Sequence, residues 1–210
     1  MSRGLFITFD GGEGAGKSTQ AARLAGRIAE TGREVVATRE PGGSPGAEVI
    51  RALLVRGEAD RWSPVSETLL MYAARRDHIE RVIAPALARG AVVICDRFAD
   101  STRAYQGAGG GAPMELICDL EAKVLGETRP DLTLIFDLPV EVGLERAGRR
   151  HDDETRFEAK GTAFHERLRA AFLDIARAEP GRCVVIDAAA PEAAVEEAVW
   201  SAVSARLELA

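Results

Sequence analysis

The stretch Gly11-Gly12-Glu13-Gly14-Ala15-Gly16-Lys17-Ser18 fits the pattern G-x-x-x-x-G-K-[ST] at every fixed position. An apolar run, Leu5-Phe6-Ile7-Thr8-Phe9, precedes it, and a helical pattern over residues 18–30 follows. That strand–loop–helix context separates a phosphate-binding loop from a glycine-rich turn. Glycines let the backbone fold tightly enough to aim successive N–H groups at phosphate oxygens, and the helix N-terminus adds partial positive charge. Lys17 then reaches the β- and γ-phosphates and the Ser18 hydroxyl suits Mg²⁺, so a nucleoside triphosphate is the expected ligand. Glu13 is out of character in such a loop. A carboxylate facing a triphosphate at close range is repelled. It is therefore expected to turn toward an acceptor, where a sugar hydroxyl can donate to it.

Strand-like runs recur at residues 5–9, 34–38, 91–95, 132–138 and 182–186, with helical patterns between them. This alternation predicts an α/β protein, a five-strand parallel sheet with helices on both faces. Residues 66–89 read as one long helix, bent by Pro85 and stopped by Gly90, and residues 191–207 as the last helix. No linker-like stretch or repeat divides the 210 residues, so a single domain is expected. The polar segment 148–157 reads either as a solvated loop or as a mobile lid that carries arginines over phosphates.

In parallel sheets ligands sit at the carboxyl ends of the strands. The third run ends in Asp96-Arg97, and an acid there orients Mg²⁺ or its waters in a phosphate-loop protein. The second runs into Arg39-Glu40-Pro41-Gly42-Gly43, whose glycines a turn explains but whose charges it does not. The only two tyrosines, Tyr72 and Tyr105, fall beside Arg75 and among Ser101, Thr102 and Gln106. Such a set could stack on and hydrogen-bond a base, although Tyr72 could equally belong to the core.

Composition narrows the classes. A net charge of −6 argues against a general nucleic-acid binder. No run reaches membrane-span length and no signal-peptide pattern is present, so no membrane partner and a cytoplasmic location are expected. Cys95, Cys118 and Cys183 fit no metal pattern and read as buried free thiols. A regulatory GTPase is disfavoured because its guanine-reading motif needs asparagine, which the chain lacks.

Taken together, the FDGGEGAGKST start, TREPGG, the AAR of the long helix, DRF, DSTRAYQG and the arginine-rich segment ending Arg156-Phe157-Glu158 resemble the thymidylate kinase family in its bacterial form. The resemblance spans nearly the whole chain and rests on motif order and spacing. It implies the P-loop nucleoside monophosphate kinase fold with a lid, phosphorylation of dTMP by ATP with Mg²⁺, and a homodimer. It also implies that Gly11, Gly12, Glu13, Gly14, Ala15, Gly16, Lys17, Ser18 and Thr19 hold ATP, with Ser18 and Asp96 serving Mg²⁺. On the dTMP side it implies Asp10, Glu13, Glu40, Pro41, Arg51, Met71, Tyr72, Arg75, Arg97, Ser101, Thr102, Tyr105 and Gln106. Arg51 and Arg97 would take the phosphate. Arg75, Thr102 and Gln106 would read thymine, and Tyr105 would crowd the 2′ position of the sugar. The loop carries no arginine, so the chain looks like the lid-arginine type, with Lys17, Arg97, Arg149 and Arg150 catalytic. Met71 stands where the family usually stacks a phenylalanine on thymine, with Tyr72 next to it, and Phe98 replaces a common tyrosine.

Overall fold

The computed structural model describes residues 3–58, 60–149, 156–157 and 160–207. Five parallel strands, β1 (Phe6–Gly11), β2 (Val35–Arg39), β3 (Val92–Asp96), β4 (Leu132–Asp137) and β5 (Cys183–Asp187), pair in the order β2-β3-β1-β4-β5. Alternate side chains of the central β1 point to opposite faces, as the strand period of two requires. Ile7 and Phe9 pack toward Leu24 and Ile28 of α1 (Lys17–Ala29) and Val199 and Val203 of α9 (Glu192–Leu207). Phe6 packs the other way, with Tyr72 of α3 (Pro64–His78) and Ile117 of α6 (Met114–Leu125). Both faces are covered, as the apolar strand runs predict.

The long helix expected over 66–89 begins earlier, at Pro64, where the Ser63 side chain accepts from the Ser66 N–H at 3.2 Å. It is also not regular. After α3 comes one π-helical stretch, Ile79–Ile83, and then α4 (Ala84–Ala88), which carries Pro85. Proline lacks the N–H that a regular turn would use and crowds the carbonyl four residues back, and the widened turn just before it accommodates both. A second π-helical stretch, Arg103–Gly109, follows the short α5 (Ala99–Thr102).

Cys95 and Cys183 are buried free thiols, but Cys118 is exposed on α6, because the buried face of that helix is carried by Ile117, Glu121 and Leu125 instead. Among the described residues no helix is long and apolar enough to cross a membrane. The remaining helices are α2 (Pro45–Val55), α7 (Val140–Ala147) and α8 (Thr162–Ala178).

Candidate active site

Register brings the motifs together. Phe9 of β1 and Arg39 of β2 both lie opposite Asp96 of β3, so β2 and β3 end level, β1 runs two residues further to Gly11, and all three release their loops at one edge. The resulting cleft has a volume of about 400 Å³. It lies where the strand order reverses beside β1, the usual ligand position in an open α/β sheet.

On one side stands the phosphate loop. Glu13, Gly14, Ala15, Gly16, Lys17, Ser18 and Thr19 all line the cleft. Gly11 and Gly12 do not: Gly11 is the last residue of β1, and the Gly12 carbonyl accepts from Lys17 Nζ at 2.6 Å. Burial, helped by the like charge of Arg97, lowers the Lys17 pKa to about 8, against the pull of Glu13 and Asp96. Gly14 adopts φ 64°, and a Cβ there would stand 2.1 Å from the Gly143 carbonyl oxygen on α7. The contact is reciprocal, since a Cβ on Gly143 would stand 2.6 Å from the Glu13 carbonyl oxygen. The Ser18 hydroxyl donates to the Asp96 carboxylate.

Arg97 occupies the middle. It is the one non-glycine residue at positive φ among those described, at 67°. Its N–H donates to the Phe9 carbonyl at 2.8 Å, Nη1 to the Gly11 carbonyl at 2.9 Å, and Nη2 to Glu13 Oε1 at 3.0 Å. Left-handed backbone in a bulky residue costs on the order of 1–3 kcal/mol and persists only where surroundings over-determine it. Burial opposes the Arg97 charge, but Glu13, Tyr105 and the nearby aspartates outweigh it and raise the pKa. Glu13 Oε1 also accepts from the Tyr105 hydroxyl at 2.7 Å, so this carboxylate is turned to the Arg97 side.

The far side is built on α2, α3 and the π-helical stretch after α5. Arg75 is buried and spends three donors on protein: Nε on Glu40 (2.7 Å), Nη1 on Thr102 Oγ1 (3.1 Å) and Nη2 on the Phe98 carbonyl (3.0 Å). Glu40 is shared with His78 Nδ1 at 3.0 Å. Arg51 Nη1 donates to the Pro41 carbonyl at 2.6 Å. Glu40, Pro41, Arg51, Met71, Arg75, Ser101, Thr102, Tyr105 and Gln106 all line the cleft.

Two of the residues expected on the dTMP side, and one expected catalytic arginine, lie elsewhere. Tyr72 is in the core with its hydroxyl donating to the Ile117 carbonyl at 3.3 Å, and Met71 is the one that faces the cleft. Asp10 is fully buried beneath the cleft, where Ser101 Oγ donates to it at 2.5 Å. Burial, reinforced by Asp100, raises its pKa to about 6 despite the Ser101 hydroxyl and Arg97. Arg149 sits outside the cleft, 75% exposed and paired with Glu145 at 2.6 Å. Arg150 and most of the segment 148–157 lie outside the described residues.

The cleft also has lining residues absent from the expected set: Arg39, Val55, Phe98, Arg146 and Phe157. Arg39 could have been found from its place at a strand end. Arg146 had no local signal, because it reaches the cleft only through the packing of α7 on the phosphate loop. Arg156, in the segment read either as a solvated loop or as a mobile lid, is buried, with Nε and Nη1 donating to the Glu58 and Leu54 carbonyls at 3.0 Å each.

A parallel sheet, a phosphate loop at its switch point and a second cationic pocket facing that loop define a P-loop kinase of the nucleoside monophosphate class. A family model described as thymidylate kinase matches residues 9–199. The chain belongs to the thymidylate kinase family. It is similar to the thymidylate kinase of Caulobacter vibrioides, with 69% identity over 100% of both chains. It is similar also to that of Dinoroseobacter shibae, with 57% identity over 91% of this chain and 92% of the other. The crystal structure of the thymidylate kinase from Ehrlichia chaffeensis superposes with a TM-score of 0.75 at 36% identity, covering 94% of this chain and 97% of that one.

Proposed function

We propose that the chain carries out the reaction of its family, transfer of the γ-phosphoryl group of ATP to dTMP to give ADP and dTDP. The observation that supports this best is one continuous cleft with the phosphate loop on one side and the Arg75–Thr102–Gln106 pocket on the other. Phosphoryl transfer asks the protein for in-line positioning and charge neutralisation rather than covalent chemistry. The loop and Lys17 would hold the donor, Arg51 and Arg97 the acceptor phosphate, and Glu13 the acceptor sugar. A coupled ADP-release assay across dTMP, dUMP, AMP, CMP and GMP tests the reading. Highest kcat/KM with dTMP is expected, and preference for another base overturns it.

Mg²⁺ fits the residues present. Ser18 and Asp96 offer oxygen only, and no cluster of three or more metal-binding side chains occurs among the described residues. Mg²⁺ prefers such sparse oxygen sites, keeping waters and substrate phosphates as its other ligands. Held there, it would supply charge neutralisation to the transferring phosphoryl group. The protein's part is to hold Ser18, in the first turn of α1, in contact with Asp96 at the end of β3.

We assign the remaining positive charge to Arg149 and Arg150 of a closing lid. The exposed Arg149–Glu145 pair is worth a few tenths of a kcal/mol, about 0.3–0.5, and so offers little resistance to such a movement. Arg149→Ala and Arg150→Ala are expected to lower kcat far more than they raise the dTMP KM, the double variant by about a hundredfold. Unchanged turnover in both single variants and the double overturns the lid assignment.

A single domain, a cytoplasmic location and a homodimer complete the proposal. Support for the dimer comes from two mutually packed helices that turn apolar side chains to solvent at one-turn spacing. These are Val49 (68% exposed) and Leu53 on α2, and Val65 and Leu69 (48% exposed) on α3. Light scattering is expected to give twice the chain mass for the parent and the chain mass for Leu69→Lys. A monomeric parent overturns the dimer.

A further inference from the structure

A buried polar chain runs back from Gln106 of the base pocket, and the proposed reaction gives its other two members no part. Gln106, Glu67 and Arg156 are all buried, at 1%, 5% and 2% exposure. Gln106 Nε2 donates to Glu67 Oε1 at 2.8 Å, and the other Glu67 oxygen pairs with Arg156 Nη1 at 2.5 Å. Gln106 lines the cleft; Glu67 does not. An amide offers two chemically opposite faces, a carbonyl acceptor and an NH₂ donor, and in isolation could present either to a ligand. A carboxylate only accepts, so Glu67 can bond only the nitrogen side. The amide carbonyl Oε1, which no described donor reaches, is left for the ligand.

We propose that Glu67 is a specificity-determining positioning residue. It locks the Gln106 amide with its carbonyl toward the base, so that the pocket admits bases with an N–H donor on that edge and rejects those with an acceptor. The proposal rests on the reading of this pocket as the dTMP base site and deepens it. Thymine and uracil carry N3–H, whereas cytosine presents a bare N3 acceptor, which would face the carbonyl oxygen with no proton between them. Arg156 keeps the lock in place from behind. It grips Glu67 while its other bonds to the Leu54 and Glu58 carbonyls tie it to the end of α2. The adjacent Phe157 lines the cleft and meets Tyr105 edge-on, with ring centroids 5.6 Å apart.

The test is the selectivity of the full chain across dTMP, dUMP and dCMP. Pockets built to hydrogen-bond a ligand reject analogues with mismatched groups strongly, so the parent is expected to favour dTMP over dCMP by about a thousandfold or more in kcat/KM. Glu67→Gln gives Gln106 a partner that can donate or accept, and the amide is free to turn. The dTMP:dCMP ratio is then expected to fall about tenfold or more. The dTMP:dUMP ratio, set by the methyl group, is expected to stay within about twofold of the parent. Glu67→Asp keeps an acceptor-only group and is expected to keep the parent's ratio. Glu67→Gln leaves Arg156 buried beside a neutral partner, so the double variant Glu67→Gln/Arg156→Met is measured with it. Thermal unfolding confirms that the variants are folded, and the double variant is expected to show the same relaxed ratio. A folded Glu67→Gln or double variant with an unchanged dTMP:dCMP ratio overturns the lock. So does equal loss of selectivity toward dUMP, which marks a loosened pocket. If the parent itself does not phosphorylate dTMP, the functional reading fails and the lock fails with it. Turnover of dTMP with unaltered selectivity in the variants refutes the lock alone.

Discussion

Lys17→Met is expected to lower turnover about a thousandfold while leaving the folded chain at least as stable as the parent. The side chain lies in the cleft at the start of α1, and it is the one cationic side chain of the loop Gly11–Ser18. Removing a preorganised charge at the transferring group typically costs two to three orders of magnitude. The stability half follows from burial. Lys17 is 6% exposed and its pKa falls from 10.5 to about 8, so its charge destabilises the free protein by about 3 kcal/mol at roughly 1.4 kcal/mol per unit. Methionine keeps most of the stem and drops the charge. Below pH 8 the variant is expected to unfold at a higher temperature than the parent, by about 3 °C or more. Between about pH 8 and 10.5 the unfolded parent binds a proton that the folded one has lost. Parent stability therefore rises with pH through this window and the gap to the variant closes. ATP binding runs the other way: it draws on the protonated amine, so affinity weakens as pH climbs past 8 and binding there takes up a proton. Turnover within tenfold of the parent, or a lower melting temperature at pH 7, contradicts the assignment.

Arg97→Ala is expected to lower kcat/KM for dTMP by about a thousandfold or more with little change in the ATP KM. Its guanidinium neutralises Glu13 at 3.0 Å and anchors the end of β1 through the Gly11 carbonyl. Without it Glu13, Asp96 and Asp10 crowd one another beside an incoming phosphate monoester. The backbone separates two contributions. Alanine at φ 67° keeps the strain, whereas glycine relieves it. Arg97→Gly is therefore expected to be more stable than Arg97→Ala by about 1 kcal/mol yet equally inactive. Comparable stability in the two variants argues against strain at this position, and retained dTMP turnover in either argues against the phosphate role.

Much of the architecture was legible because strands and helices announce themselves locally. The five apolar runs became the five strands, yet β1, β2, β3 and β5 each continue past the last apolar residue, to Gly11, Arg39, Asp96 and Asp187. Ladder bonds come from the neighbouring strand whatever the side chain, so polarity understates where pairing stops. At β2 and β3 that extension carries the chemistry, since the added Arg39 and Asp96 line the cleft. Face assignment was less legible. Met71 and Tyr72 are neighbours about 100° apart on one helix, and only the packing of α6 decides which is core. The burial of Arg156 was not legible, because a run of charges carries no sign of it, whereas its partners, Glu67 and two carbonyls at and just beyond the end of α2, are remote in sequence and close in space.

The facing glycines at 14 and 143 set a limit on how this chain can evolve. When two side chains collide, a smaller residue on one can admit a larger one on the other, and such pairs drift together. Here each added Cβ would strike a main-chain oxygen, that of Gly143 in one direction and that of Glu13 in the other. No substitution shrinks a carbonyl. Neither glycine can be rescued by a change in its partner, so each position is held independently, with no compensating mutation open to it. Inheritance in this corner can proceed only by keeping both, and variation in the cleft must come from its other walls.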